Sequence, residues 1–257
     1  MTARVHPTAV VDPSVVLGDD VEVGAYSVVG AGVSLGRGVR LAAHVVVEGP
    51  TVLEERVQVF PFAVLGAAPQ DRSYAGEPTT LRVGAETIVR EHVTLHRGTR
   101  KDRGHTDVGA RCLLMVGVHV AHDAVIGDDC TIANAVQISG HVVLEEGVVV
   151  GGVAAFAPFV RVGTLAFVAA GARVEQDVPP YHVAQGDRAR VRALNVVGLA
   201  RNGVPEEPLL AAHRILYRSG LPRAHALEHL AGDPDPSVRR LVAFLHEHTT
   251  LPGPVSR

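Results

Sequence analysis

Two short segments hold the side chains best suited to acid–base chemistry. Residues 118–123 read VHVAHD and bring together His119, His122 and Asp123. Residues 138–141 read ISGH and carry Gly140 and His141. A histidine beside a carboxylate is the pairing a general base requires, because the carboxylate fixes the tautomer and stabilises the imidazolium that forms. A glycine facing that histidine can offer an unobstructed backbone N–H to an oxyanion. His119, His122, Asp123, the Gly140 backbone and His141 together therefore offer the parts of a carboxylate-backed base and an oxyanion donor. Two other readings of the same residues stand beside this one. Neutral imidazoles bind zinc, and surface turns carry His and Asp for solubility alone.

What makes the two segments neighbours is a repeat that runs through most of the chain. From Val5, every sixth residue up to Leu65 is Val or Leu, as in Val11, Leu17, Val23 and Val29. The pattern resumes over Val83, Val89 and Leu95, and again from Val108 to Val174. Of 26 such positions 25 are Val, Leu or Ile, Phe156 being the exception, so chance is not a serious rival. The fourth residue after each is small or β-branched, as in Val15, Val21 and Ser27. This is the signature of hexapeptide repeats wound into a parallel β-helix of the left-handed kind, three hexads to a triangular coil of 18 residues. Stacked at the inter-strand spacing, the coils would form a prism about 40 Å long. His122 and Gly140 differ by 18, as do Asp123 and His141, so the two segments should lie one above the other on a single corner.

Composition agrees with a narrow interior of stacked branched side chains. Aromatics are only 4% with no Trp, while Val occurs 46 times. Cys112 and Cys130 are also 18 apart and should stack inside the prism as free, inert thiols. With a net charge of −3 the chain is not built to grip nucleic acid. The start of the sequence shows no charged segment followed by a long apolar one, so no signal peptide is expected. Residues 147–160 carry no charge, but their Gly, Pro and six-residue period match the rest of the chain, so no transmembrane segment is expected either. A cytoplasmic protein is anticipated.

The expected organisation is a β-helix over 1–182, interrupted by loops at 67–82 and 96–107, followed by a helical subdomain over 183–257. Helices are predicted over 190–202 ending at Gly203, 206–219 ending at Gly220, 223–231, and 236–248 started by Asp235.

Several motifs carry a resemblance over nearly the whole length: HPTAVV (6–11), QDRSYAGEPT (70–79), VTLHRGT (93–99), the run 119–123, SGH (139–141), QDVPPY (176–181), AQG (184–186) and NVVGLARNG (195–203). The chain resembles the acyl-carrier-protein-dependent UDP-N-acetylglucosamine O-acyltransferases that begin lipid A synthesis. The resemblance implies a homotrimer with active sites in clefts between neighbouring prisms, and a helical tail that binds acyl carrier protein and part of the nucleotide. It implies no cofactor beyond the acyl carrier protein thioester as co-substrate. His122 would deprotonate the sugar 3-hydroxyl as it attacks the thioester of an (R)-3-hydroxyacyl chain. Gln70 and Asp71 would engage the sugar and pantetheine region, His119 and His141 the sugar and phosphates, and Asn195 with Arg201 the uridine diphosphate. Ala170 stands where the family sets acyl length, and a small residue there implies a fairly long chain.

Departures from the family pattern leave the base and oxyanion donor intact but alter their surroundings. Ser73 replaces a Lys, with Arg72 beside it to restore the charge. Ala157–Pro158 replaces a His–Gln pair directly over Gly140, Val197 replaces an acidic residue, and Asn202 replaces an Arg. These changes keep two other readings open: N-acylation of a 3-amino sugar nucleotide, and a scaffold that no longer turns over. Gamma-class carbonic anhydrases place three zinc-binding histidines on a similar prism, but with an H-x4-H spacing where this chain has H-x2-H. No metal ligands are assigned.

Overall fold

The computed structural model describes residues 3–247. Each hexad becomes a two-residue strand followed by a tight turn, as in Arg4–Val5, Val10–Val11 and Val16–Leu17, one on each side of a triangle. Successive coils pair in parallel at the expected spacing: Val5 with Val23, Val11 with Val29, Leu17 with Leu35. Three sheets result, of eleven, nine and eight strands. Every sixth residue and the fourth after it point inward, so Val21, Val23, Val29, Val33 and Leu35 are all at most 3% exposed. Each such side chain contributes about 1.5–3 kcal/mol of burial. Ser27 sits in the same column because its hydroxyl is satisfied, donating to the Ala42 carbonyl (2.8 Å) and accepting from the Val45 amide (3.1 Å). Cys112 and Cys130 are buried and free at equivalent positions of successive coils, as expected.

At the corners, the third residue after the inward position takes a left-handed conformation, for example Asp20, Asp123 (φ 59°) and His141 (φ 64°). A residue with a side chain is uncommon there, and it is held by the coils above and below. The two interruptions leave the prism at one corner, the one between the nine-stranded and eight-stranded sheets. Leu65 pairs with Leu95, and Leu95 with Val120. The chain thus re-enters register after each excursion. The excursions are shorter than the sequence implied. Thr80–Val83 and His105–Val108 are strands, paired residue for residue, and Leu81 and Val83 are fully buried. The projecting segments are 68–79 and 97–104.

Beyond the last coil the helix expected over 190–202 is found only at Val196–Arg201, and its first half is a strand. His182–Gln185 and Arg190–Leu194 form an antiparallel hairpin that continues the eleven-stranded sheet. Val191 and Leu194 are buried, so the segment packs as a strand despite its helix-compatible composition. Among the described residues the tail then has four helices: α1 (Val196–Arg201), α2 (Glu206–Arg218), α3 (Arg223–Leu230) and α4 (Pro236–Glu247). The Asp235 carboxylate starts α4, accepting from the amides of Ser237 and Val238. His248, placed at the end of that helix from sequence, lies outside the described residues. Leu209, Leu227, Leu230, Val238 and Leu241 form a second core with Leu165, Tyr181 and Leu194. Among the described residues no helix is long and apolar enough to cross a membrane.

Candidate active site

The corner that emits both loops also carries the two histidine turns. His122 and Asp123 follow the strand His119–Val120, and Gly140 and His141 follow Gln137–Ile138, one coil on. The His122 Nδ1 lies 2.9 Å from Oδ2 of Asp123. A carboxylate only accepts, so Nδ1 carries the proton and Nε2 is left as the basic nitrogen. Asp123 is completely buried. Both of its oxygens accept from the Thr99 amide (3.0 Å each), and Oδ2 also accepts from the Thr99 hydroxyl (2.6 Å). Burial by itself would raise the Asp123 carboxyl. The hydrogen bonds from Thr99 and His122 outweigh it and hold the group below its ordinary value, and so ionised.

Gly140 lies flat against His122. A Cβ built on it would meet the ring at 2.7 Å (Cε1), 3.0 Å (Nε2) and 3.2 Å (Nδ1). Only glycine allows that approach. Among the described residues no protein group accepts from the Gly140 N–H. His141 meets His122 edge to face, with ring centroids 5.1 Å apart. Its Nδ1 contacts Asp102 Oδ2 at 2.8 Å.

The remaining predicted residues divide between two places. His119 is near, on the flat sheet below the corner, where it contacts the Thr94 hydroxyl (2.8 Å) and the edge of His96. Burial first, then His96, pushes its basicity down. Asp71 belongs to the loop 68–79 and faces the second loop, where Lys101 Nζ lies 2.9 Å away. Hydrogen bonds from the Ser73 amide, then from Lys101, hold Asp71 well below the usual carboxylate range. Arg72 and Ser73 are both exposed on this loop, and the Ser73 amide and hydroxyl each donate to Asp71 (2.8 Å). Gln70 is exposed on the same loop. Arg97 anchors that loop, donating to the carbonyls of Gly49 and Gly66 and to the Tyr74 hydroxyl.

Asn195 and Arg201 are not brought to this corner. Asn195 caps α1, accepting from the Gly198 amide (3.1 Å) and donating to the Leu165 carbonyl (2.9 Å). With Arg201 and Val197 it borders a mainly apolar cavity of about 430 Å³ over Val149, Phe167 and Leu194. That cavity lies on the outer face of the eleven-stranded sheet, which does not flank the His122 corner.

His122, Asp123 and His141 place one ligand atom each within 4.8 Å of one another, the spacing of a metal site. The donors are poorly disposed for one. Asp123 Oδ2 already accepts from the Thr99 amide and hydroxyl and from His122, and Oδ1 shares the Thr99 amide, so only Nε2 of each histidine is left open. Thr99, Lys101 and Asp102 had no role from sequence, because the insertion that carries them breaks the 18-residue spacing. Thr99 closes the quoted VTLHRGT motif, the one signal that marked it.

A stacked-hexapeptide prism with a carboxylate-backed histidine and a glycine amide at one corner defines the class of hexapeptide acyltransferases. Comparison with known proteins agrees and narrows it. The family described as bacterial transferase hexapeptide (six repeats) matches residues 14–49 and 105–140. The second domain of UDP-N-acetylglucosamine O-acyltransferase matches residues 177–252. An acyl-[acyl-carrier-protein]–UDP-N-acetylglucosamine O-acyltransferase from Gloeothece citriformis is 41% identical over 213 residues, 81% of this chain and 77% of the relative. The UDP-N-acetylglucosamine acyltransferase structure from Campylobacter jejuni superposes with a TM-score of 0.93 at 32% identity, covering 99% of this chain and 100% of that one. That from Bacteroides fragilis gives 0.91 at 30% identity, covering 98% and 99%. The chain belongs to the acyl-[acyl-carrier-protein]–UDP-N-acetylglucosamine O-acyltransferase family. It is an acyltransferase on a left-handed parallel β-helix.

Proposed function

We propose that the protein transfers an (R)-3-hydroxyacyl chain from acyl carrier protein to the 3-hydroxyl of UDP-N-acetylglucosamine, the first step of lipid A synthesis. The observation that carries the catalytic reading is the contact of His122 with the buried Asp123 on one side and with Gly140 on the other. Nε2 of His122 takes the proton as the sugar hydroxyl attacks the thioester carbonyl, forming the C–O bond. The Gly140 N–H donates to the oxygen of the tetrahedral intermediate. As that intermediate collapses, the C–S bond breaks and the proton passes from His122 to the leaving thiolate. No acyl-enzyme is required, so a nucleophilic Ser or Cys is unnecessary. Base and oxyanion donor contribute about 10²–10⁴-fold and 10²–10³-fold respectively.

Gln70, Asp71, His119 and His141 surround the sugar and its phosphates in this reading. Asn195 and Arg201 meet the uridine diphosphate, which their position in the fold allows only if they come from a neighbouring subunit. We therefore infer a homotrimer with its sites between chains, acting in the cytoplasm with acyl carrier protein as partner and without a cofactor. The test is incubation of purified protein with a series of (R)-3-hydroxyacyl carrier thioesters and either the 3-hydroxy or the 3-amino sugar nucleotide, with products read by mass spectrometry. O-acylation is expected. Transfer to the amine alone would overturn the acceptor assignment, and no transfer at any chain length would favour a scaffold. Because the Asp123 oxygens are already engaged, chelator treatment should leave the rate unchanged, and metal analysis should find less than one ion per chain.

A further inference from the structure

We infer that Asp102 is a positioning residue that fixes His141 as a second aimed imidazole beside His122, so that the acceptor meets two oriented ring nitrogens; this rests on the reading of the site given above. Asp102 Oδ2 lies 2.8 Å from His141 Nδ1. The carboxylate can only accept, so Nδ1 carries a proton and Nε2 is the nitrogen left to meet a ligand. Two other contacts hold the ring, and a third holds its backbone. Phe159, one coil on, stacks on its face with centroids 4.3 Å apart and planes at 5°. The His122 ring abuts it edge to face at 86°. The His141 amide donates to the His122 carbonyl at 3.1 Å, which fixes the backbone. The His141 side chain is only 12% exposed, so its remaining freedom is small.

Asp102 reaches His141 because its loop is fastened on both sides. Thr99 donates to Asp123, and Lys101 pairs with Asp71 across to the other loop. Three residues of one insertion therefore set three parts of the site. The two His–Asp pairs are unequal. Asp123 is fully buried, whereas the Asp102 side chain is 38% exposed, so the first pair suits proton transfer and the second suits orientation of substrate.

The experiment compares wild type with Asp102→Asn and Asp102→Ala. Histidine ¹⁵N–¹H long-range spectra at alkaline pH, without substrate, read the tautomer of His141, with its resonance assigned by His141→Gln. Wild type and the Asn variant, whose amide oxygen still accepts, should show the proton on Nδ1. The Ala variant should shift toward Nε2–H. With substrate, Asp102→Ala should raise KM for the sugar nucleotide about tenfold, with kcat changed far less, and Asp102→Asn should stay near wild type. An Nε2–H tautomer in wild type would overturn the inference. So would an unchanged KM in a folded Ala variant. If wild type transfers no acyl group to this acceptor, the functional reading fails, while the spectra alone still decide whether Asp102 sets the tautomer.

Discussion

At the scale of single residues, the catalytic corner depends on contacts too close to admit substitution. His122→Ala removes the base and should lower kcat by about 10²–10⁴-fold, with the circular dichroism spectrum and oligomeric state unchanged. Gly140→Ala is the more discriminating change. Its methyl would fall 2.7–3.2 Å from the His122 ring, so the ring must move. Misplacement of that order costs about 10²-fold in rate, while the coils should stay folded with an unchanged circular dichroism spectrum, because the methyl meets the His122 ring rather than the inward columns. An alanine variant with normal kcat would show that His122 is not the base. His122 and Gly140 could be paired from sequence because their spacing equals one coil. Thr99, which holds Asp123, could not, because it lies in an insertion whose path no periodicity describes.

At the scale of elements, α2 is docked on the cap of the β-helix through a buried histidine pair. His182 Nδ1 lies 2.7 Å from the Pro180 carbonyl, and its Nε2 lies 3.1 Å from His213 Nδ1. The carbonyl accepts from His182, whose Nε2 then accepts from His213, so the His182 ring is neutral in this arrangement. Burial pushes His182 down from 6.5 to about 3, with the neighbouring His213 acting in the same direction. The unfolded chain binds a proton below about pH 6.5 that the folded chain refuses until about pH 3. The unfolded state thus holds more protons across that window. The contribution of His182 is complete above pH 6.5 and declines by about 1.4 kcal/mol per unit as the pH falls below it. Thermal melts should shift downward between pH 7 and pH 5, and the shift should be smaller in His182→Leu. Equal shifts in both proteins would assign the acid sensitivity elsewhere. The same cap is where sequence reading failed: Arg190–Leu194 pairs as a strand because His182–Gln185 presents an open sheet edge, and tertiary pairing overrides local preference.

At the scale of the whole molecule, the position of Asn195 and Arg201 makes a prediction about assembly. They border a cavity on a sheet that does not flank the His122 corner, so one chain cannot bring them to the base. If the site forms between subunits, mixing His122→Ala with Arg201→Ala protein under conditions that exchange subunits should restore part of the activity. Some mixed interfaces would then carry neither lesion. Size-exclusion chromatography with light scattering should report three chains, and a monomer with full activity would exclude the shared site.

The sequence by itself determined the prism, its inward columns and the stacking of His122 with Gly140 and of Asp123 with His141. A parallel coil of constant length turns residue number directly into height, so spacing alone is a coordinate. Only the tertiary structure decided how the loops 68–79 and 97–104 fold back, which brings Thr99 to Asp123, Lys101 to Asp71 and Asp102 to His141. Those contacts depend on irregular backbone whose course is set by many non-repeating interactions, and the cap hairpin depends on a sheet edge that exists only once the coils are built.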